Sequence, residues 1–291
     1  MSIEYLQLDV FSETPGGGNP LGVVLRADDW DGAAMQRFAA WTGLVETTFV
    51  LAPTEPSASY RLRIFTPRRE IPFAGHPTVG SAHAVLECGL ALPREGLLIQ
   101  QCAAGLLPIR VDAKDSRLFV QAPRASVLPP PPPLLADVDG LLEGMPRGAL
   151  PPAFVEGGRR WWIAEIGDEA ALRSWQPDHA AIAALAHASD SLGLCVFARV
   201  PDAPYQLVVR AFPAGVGIVE DPASGAANGL IAAWLAEAEP DGPLARGYRV
   251  SQGREIGHDA TIDIHIEADR EVWVGGRTHT IVAGRLRWPR G

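Results

Sequence analysis

Alternation of polar and apolar residues predicts strands in both halves of the chain. Tyr5–Phe11 and Tyr60–Phe65 alternate with a period of two, which is typical of half-buried strands, and Tyr205–Phe212 has strand character at the matching place in the second half. Asp31–Thr42 instead carries apolar residues at helical spacing and is followed by Gly43, a residue type that commonly ends helices. The pattern therefore predicts strands mixed with helices.

A short pattern with proline and glycine occurs twice, 145 residues apart. His76–Gly80 lines up with Asp221–Gly225, and an apolar helical run follows each copy. The spacing predicts two buried helices, one from Pro77 to about residue 88 and one from Pro222 to about residue 238, each with proline at its first helical position. Helix N-termini expose unpaired N–H groups and attract anions, so two of them facing each other would form a pocket for a small carboxylate.

The repeat predicts the fold class and the domain organisation. We expect an α+β architecture of two pseudo-symmetric lobes, each a mixed β-sheet rolled around a central α-helix, with a cleft between them. The N-terminal lobe is predicted at residues 1–125, completed by a C-terminal strand at 279–291, and the C-terminal lobe at 126–278. Five consecutive prolines, Pro129–Pro133, indicate a stiff linker within 123–133.

Composition narrows the classes of partner. The formal net charge is −9, from 25 basic and 34 acidic residues, and no basic stripe is present, so nucleic acid is not an expected partner. No apolar run approaches the length of a membrane span, and the N-terminus lacks signal-peptide features. The three cysteines fit neither a disulfide framework nor a zinc site. We therefore expect a cytoplasmic protein that does not bind membranes.

Glu46 is the strongest candidate for acid/base chemistry. It lies between Leu44-Val45 and a β-rich run that begins at Thr47. Burial in such an apolar neighbourhood would raise the pKa of the carboxyl group, and a raised pKa suits a group that takes a proton from carbon and returns it elsewhere. The alternative is a surface glutamate at the start of a strand.

The two motifs supply candidate groups for substrate binding. His76 and Asp221 would line the pocket, although either residue would also suit a structural cap at the start of a helix. Backbone N–H groups near Gly75, Gly225 and Ala226 could hold a substrate carboxylate and stabilise charge as a C–H bond breaks.

A metal site is an alternative that the spacing disfavours. Glu46, His76, His83 and Asp221 are plausible ligand types, but they do not occur at ligand spacing. We therefore expect no metal ion.

Five segments resemble the phenazine-biosynthesis PhzF-like family. Phe65–Thr78 and Glu220–Gly225 resemble its two signatures, and residues 18–22, 46–50 and 252–253 match three further elements. The resemblance covers almost the whole chain. It implies a diaminopimelate-epimerase-like fold and isomerase chemistry, usually without metal or organic cofactor, and often a homodimer.

The resemblance also implies roles for particular residues. Glu46 corresponds to the general acid/base of the family, and His76 and Asp221 correspond to its cleft-wall residues. Asn19 joins Gly75, Gly225 and Ala226 as an implied substrate-binding residue.

The chain departs from the family at two positions. Ala226 stands where the family usually has serine, and His258 stands where it usually has arginine. The loss of a hydroxyl and of a guanidinium implies that this chain holds its substrate differently from the founding member, which acts on a dihydro-hydroxyanthranilate.

These observations predict a cofactor-independent isomerase that moves a proton on a small carboxylated metabolite in the cleft between the lobes. Ser191 lies 145 residues after Glu46, so the second half offers no acid there, and this asymmetry favours one residue that shuttles the proton. Neither motif contains a cysteine, which excludes the thiol-pair mechanism of some relatives. A non-catalytic small-molecule-binding protein, or an epimerase or racemase with a second base, remains as an alternative.

Overall fold

The computed structural model describes residues 3–289, so the predicted lobe ends at residues 1 and 291 lie outside the described residues. In chain order the strands are β1 (Ile3–Val10), β2 (Asn19–Leu25), β3 (Thr47–Leu51), β4 (Tyr60–Phe65), β5 (Glu70–Ile71), β6 (Leu97–Cys102), β7 (Gly105–Val111), β8 (Leu118–Gln121), β9 (Ser126–Leu128), β10 (Ala153–Gly157), β11 (Arg159–Ile166), β12 (Leu194–Arg199), β13 (Leu207–Phe212), β14 (Gly247–Gln252), β15 (Ala260–Ile266), β16 (Val272–Gly276) and β17 (Thr278–Leu286). The α-helices are α1 (Gly32–Thr42), α2 (Gly75–Glu87), α3 (Pro132–Leu141), α4 (Glu169–Ser174), α5 (His179–Ala188) and α6 (Gly225–Ala238).

The chain divides into two compact units. The first comprises Met1–Gln121 and Gly275–Gly291, and the second comprises Ala122–Val274. The sequence placed the corresponding divisions after residues 125 and 278.

The first unit is built on a mixed sheet. Strand β1 pairs antiparallel with β17 and with β2, β2 pairs parallel with β3, and β3 pairs antiparallel with β4. Strand β4 then pairs parallel with β6, which pairs antiparallel with β7. The alternation in the sequence matches this arrangement, because Tyr60, Leu62 and Ile64 of β4 are buried while the intervening arginines are only partly covered.

The second unit repeats the same series of pairings. Strand β10 pairs antiparallel with β9 and with β11, β11 pairs parallel with β12, and β12 pairs antiparallel with β13. Strand β13 pairs parallel with β14, which pairs antiparallel with β15. In this series β17 occupies in the first unit the place that β9 occupies in the second. The two units are therefore built on one pattern.

Each unit surrounds one buried helix. Helix α2 contacts β1, β2, β3, β4, β6, β8 and β17 of the first unit, and α6 contacts β9, β10, β11 and β15 of the second. Small residues allow this close packing: a Cβ atom on Gly80 would lie 2.5 Å from a methyl carbon of Leu21. The prediction of an α+β fold with two mixed sheets, each rolled around a central helix, is confirmed.

Both central helices begin at a glycine, so the prediction of proline at the first helical position is wrong. Pro77 is the third residue of α2, and α6 begins three residues after Pro222. In the second unit the cap is Ser224, whose Oγ accepts a hydrogen bond from the Ala227 amide at 3.4 Å. Asp221 does not cap the helix, because its backbone pairs with Ala211 of β13 in an isolated β-bridge.

The helix starts also correct the register of the repeat. Ile64 of β4 pairs with Ile71, as Ala211 of β13 pairs with Asp221, and the helices begin 150 residues apart. Residues 70–75 therefore correspond to residues 220–225, and His76 corresponds to Ala226. The predicted equivalence of His76 with Asp221, at an offset of 145, is wrong.

The proline run is not a simple linker. Residues 126–128 form β9, which pairs with β10, and α3 begins at Pro132. Proline is tolerated in the first turn of a helix, because the N–H group that it lacks would have no acceptor there. The prediction of a stiff linker over 123–133 is therefore wrong for residues 126–128 and for residues 132–133.

Candidate functional site

Glu46 lies directly before β3 and is buried, with 9% of its surface exposed. Its carbonyl oxygen accepts a hydrogen bond from the Gly22 amide at 3.5 Å, which continues the parallel pairing of β2 and β3. Nearby, the Thr48 hydroxyl lies 2.8 Å from the Ser81 hydroxyl, a buried contact that joins β3 to α2. The backbone that carries Glu46 is thus held against the central helix.

His76 is the second residue of α2 and contacts Glu46. Its Nε2 atom lies 3.4 Å from Oε2 of Glu46, and only 6% of the histidine surface is exposed. Burial lowers the pKa of His76 to about 3, because the charged imidazolium would lose its solvation. The contact at neutral pH therefore joins Glu46 to a neutral imidazole and is not an ion pair.

The N-terminus of α2 presents backbone donors beside this pair. Its cap residue, Ala74, has no side chain that could accept from the first turn. The Thr78 amide bonds to the Ala74 carbonyl, Pro77 has no N–H group, and the amides of Gly75 and His76 have no acceptor within the helix. Two N–H groups and the positive end of the helix dipole therefore favour an anion next to His76.

Asn19 begins β2 and is fully buried in the first unit. The preceding loop is tightly packed: a Cβ atom on Gly18 would lie 2.2 Å from the carbonyl oxygen of Val10, so only glycine fits there. The Gly16 amide donates to the Asp9 carboxylate at 2.7 Å and fixes the same loop. Close packing thus explains Gly18, whereas Gly16 has open space around it and a φ of +97°, which favours glycine.

Asp221 belongs to the second unit, where both its side chain and its backbone are held. Its Oδ1 atom accepts a hydrogen bond from the Ala223 amide at 3.3 Å. Its amide donates to the Ala211 carbonyl at 2.9 Å, and its carbonyl accepts from Gln252 Nε2 at 2.7 Å. The Gln252 Oε1 atom accepts in turn from the Asn228 side chain at 2.9 Å and from the Ser224 amide at 3.3 Å. One buried amide side chain therefore connects Asp221 to the start of α6.

Gly225 and Ala226 are the first two residues of α6 and correspond to Gly75 and His76. Ala226 is exposed, whereas its neighbours Gly225 and Ala227 are buried. Of the predicted residues, the structure brings Glu46 and His76 into contact within the first unit, together with Gly75 at the same helix end. Asp221, Gly225 and Ala226 lie together in the second unit.

The corrected register places Gly193, not Ser191, at the position of Glu46. Gly22 donates to the Glu46 carbonyl as Trp162 donates to the Gly193 carbonyl, the latter at 2.9 Å. A Cβ atom on Gly193 would lie 2.0 Å from the Phe212 carbonyl oxygen, and the residue has a φ of +148°. The second unit therefore has no room for a side chain at this position.

Sequence reasoning missed two residues of the second unit, Arg210 and Glu220, which form a buried ion pair directly before Asp221. A signal was present: Arg-x-Phe followed by glutamate occurs at 63–70 and again at 210–220.

Among residues 3–289, no group of three or more histidine, cysteine, aspartate or glutamate side chains is placed to hold a metal ion. No helix in the same range has the length and apolar character needed to cross a membrane.

Because His76 is buried in its neutral form, we expect the protein to lose stability in acid. The pKa of His76 is about 3 in the folded protein and near 6.5 in the unfolded chain, so below pH 6.5 the unfolded state binds a proton that the folded state does not. The contribution of His76 to the free energy of unfolding is therefore constant above pH 6.5. Below that pH it decreases by roughly 1.4 kcal/mol per pH unit as the pH falls towards 3. Urea unfolding between pH 7.5 and 4.5 measures the free energy of unfolding at each pH. Below pH 6.5 its slope against pH should be smaller in His76→Asn than in the wild-type protein by roughly 1.4 kcal/mol per pH unit.

The matched control is His187→Asn, which removes an exposed histidine on α5. It should leave the pH dependence close to that of the wild-type protein. An acid slope that is the same in His76→Asn and the wild-type protein would show that His76 is not buried in its neutral form.

Comparison with known proteins places these features in context. The family model described as "Phenazine biosynthesis-like protein" matches residues 8–284. A trans-2,3-dihydro-3-hydroxyanthranilate isomerase from Pseudomonas aeruginosa is 30% identical over 290 residues, covering 97% of this chain and 98% of that protein. "Antisense-enhancing sequence 1" from Schizosaccharomyces pombe is 31% identical over 292 residues, covering 97% of each chain.

Solved structures agree on the fold. A phenazine biosynthesis protein of the PhzF family from Bacillus anthracis superposes with a TM-score of 0.83 at 24% identity and covers 99% of both chains. A hydroxyproline epimerase from Agrobacterium vitis superposes with a TM-score of 0.63 at 11% identity, covering 98% of this chain and 92% of that one. Both likenesses concern the fold, which is diaminopimelate-epimerase-like, as the resemblance implied. The name of the Pseudomonas relative supports an isomerase.

Proposed function

This chain belongs to the phenazine biosynthesis-like family, and on that premise we propose that it is an isomerase that moves a proton on a small carboxylated metabolite by general acid/base catalysis. The observation that carries the proposal is the contact between the buried Glu46 carboxyl group and the neutral His76 imidazole. Proton transfer from carbon needs a positioned acid/base group that is shielded from water.

Glu46 is the proposed proton carrier. It has the acid/base group, its backbone is anchored by β2, and its side chain is buried. A neutral His76 can donate or accept one hydrogen bond at Nε2 without adding a charge beside the carboxyl group. Glu46 must change its protonation state during a turnover, and a neutral His76 adds no positive charge that would hold the carboxyl group ionised.

The amides of Gly75 and His76 are the proposed binding site for the carboxylate of the substrate. They lie at the N-terminus of α2 next to the Glu46–His76 pair, and an anion bound there gains hydrogen bonds and a favourable interaction with the helix dipole. The same donors would stabilise negative charge that develops as the C–H bond breaks. Asp221 is proposed to bind a polar substituent, as its correspondence to the family signature implies. These protein groups suffice for the proposed chemistry, which uses no cofactor.

The position equivalent to Glu46 favours a single base. Gly193 carries no side chain, and Ala226 stands where the first unit has His76. A racemase that uses two related bases would need an acid/base group at one of these places. One carboxyl group would instead remove the proton and return it to another carbon of the same substrate.

The first test is solvent-deuterium incorporation. We expect the protein to introduce deuterium at carbon when it is incubated in D₂O with its substrate, because the carried proton exchanges with solvent. The first probe is trans-2,3-dihydro-3-hydroxyanthranilate, the substrate named for the Pseudomonas relative, followed by other small cyclic and amino-acid-like carboxylates. Products are analysed by NMR and mass spectrometry.

Two other outcomes would change the assignment. A compound that raises the melting temperature but never gains deuterium would indicate a binding protein, the alternative that the departures at Ala226 and His258 favour. Deuterium at a stereocentre with formation of both configurations would indicate an epimerase and would contradict the single-base mechanism.

A further inference from the structure

An arginine–glutamate pair follows the same pattern in both units. In the first unit, Arg63 Nε and Nη2 each donate to the Glu70 carboxylate at 2.7 Å. The guanidinium carbon of Arg63 lies 5.1 Å from the centre of the Phe65 ring. This geometry is a bidentate ion pair that ties β4 to the segment leading into α2.

The second unit has the equivalent pair. Arg210 Nε and Nη2 each donate to the Glu220 carboxylate at 2.9 Å, and the guanidinium carbon lies 5.2 Å from the centre of the Phe212 ring. Arg63 and Arg210 occupy the fourth position of β4 and of β13. The two glutamates each lie five residues before the first residue of a central helix. The same bidentate arginine–glutamate pair therefore occurs at equivalent positions in the two units.

The two pairs differ in burial. The side chains of Arg210 and Glu220 are 5% and 4% exposed, whereas those of Arg63 and Glu70 are 31% and 38% exposed. Arg210 Nη1 also donates to the carbonyl oxygens of Leu172 and Trp175, at 3.2 and 2.6 Å, so all three nitrogens of the buried guanidinium donate hydrogen bonds. A bidentate pair away from water defines the position of its glutamate more tightly than one that water can replace.

The buried pair lies next to Asp221 in sequence and in the strand ladder. Arg210 holds the Glu220 side chain, and the adjacent residue, Ala211, holds the backbone amide of Asp221 at 2.9 Å. Gln252 holds the Asp221 carbonyl at 2.7 Å. Residues 220 and 221 are thus fixed by consecutive residues of β13 and by the end of β14.

We propose that Arg210 and Glu220 are positioning residues that set the orientation of the Asp221 carboxylate. The inference rests on the proposed function, which gives Asp221 a role in binding substrate. The pair does not itself touch the substrate: it fixes the backbone from which the Asp221 side chain projects. In the first unit the corresponding pair precedes Ile71, which has no acid/base group, and the pair is partly exposed.

The experiment observes Asp221 directly by NMR. Protein with ¹³C-labelled aspartate carboxyl groups is prepared as the wild type and as Arg210→Lys and Glu220→Asp. The Asp221 resonance is assigned by its disappearance in Asp221→Asn. Both test variants conserve charge, so a change at Asp221 reports geometry. Lysine cannot form the bidentate bond, and aspartate is one methylene shorter. Arg63→Lys and Glu70→Asp are the matched controls.

We expect either test variant to move the Asp221 carboxyl resonance and its titration midpoint. The control variants should leave both unchanged. An Asp221 resonance and midpoint equal to wild type in a folded test variant would overturn the proposal, as would an equal change in the controls. If one test variant fails to fold, the other decides.

A second measurement separates this proposal from the proposed function. Deuterium incorporation by Asp221→Asn tests the role of Asp221 without involving the pair. Full incorporation by that variant would remove Asp221 from the mechanism, yet the NMR shifts in Arg210→Lys and Glu220→Asp would still show that the pair orients it. Suppose instead that the Asp221 resonance is unchanged in Arg210→Lys and Glu220→Asp, while Asp221→Asn loses deuterium incorporation. That result would refute the role of the pair in positioning Asp221 and would leave the proposed function unaffected.

Discussion

Glu46→Gln is expected to reduce deuterium incorporation into the substrate by about 10²–10⁴-fold, the usual contribution of a positioned general acid/base. Glutamine has nearly the same shape as glutamate, so the backbone hydrogen bond to Gly22 and the contact with His76 should remain. The amide cannot take up a proton from carbon at neutral pH. Thermal stabilisation by the substrate should therefore survive while exchange is lost, which rate measurements in D₂O and melting curves would show together.

The matched control for this experiment is Glu87→Gln, which changes a half-exposed glutamate in the last turn of α2. It should retain the wild-type rate of exchange, because Glu87 lies at the opposite end of the helix from His76. Full exchange by Glu46→Gln would refute the role of Glu46 as proton carrier. Loss of both binding and exchange in Glu46→Gln would point to a role in holding the substrate.

Residue periodicity was sufficient to predict the elements but not the register of the repeat. The alternation in Tyr60–Phe65 and the helical spacing in Asp31–Thr42 are local properties, and both elements form as predicted, with Asp31 capping α1 and Gly43 in the left-handed conformation after it. Alignment of the two His-Pro and Asp-Pro dipeptides gave a wrong offset, because it assumed that proline begins each helix. The bridge between Ala211 and Asp221 keeps Asp221 outside the helix, which begins only at Gly225, and no local pattern encodes that pairing.

The candidate site shows the same limit. The apolar residues around Glu46 indicated a buried carboxyl group, and Glu46 is buried. Its 3.4 Å contact with His76 depends on the parallel pairing of β2 with β3 and on the packing of α2 against them, which involve residues far apart in the chain. Gly193 illustrates the converse case. Its equivalence with Glu46 follows from the hydrogen-bond ladder, and the sequence offset led to Ser191 instead.

Arg210→Ala is expected to lower the free energy of unfolding by about 3–5 kcal/mol, because it leaves the Glu220 carboxylate buried without its partner. It also leaves the carbonyl oxygens of Leu172 and Trp175 without their side-chain donor. Arg63→Ala, the same change at the equivalent position, should cost only about 0–1 kcal/mol, because water can solvate the half-exposed Glu70. Urea unfolding of the two variants provides the comparison.

The double variant Arg210→Met/Glu220→Leu separates the charge effect from simple loss of packing. Replacement of a buried ion pair by apolar residues of similar volume is often close to neutral, so the double variant should be more stable than Arg210→Ala. It should remain below wild type by about 1–3 kcal/mol, since the Leu172 and Trp175 carbonyls stay without the guanidinium. If instead Arg210→Ala and Arg63→Ala unfold at similar urea concentrations, the second pair is as well solvated as the first. Asp221 would then lack a rigid support, because a pair open to water would hold Glu220 no more firmly than the partly exposed pair holds Glu70.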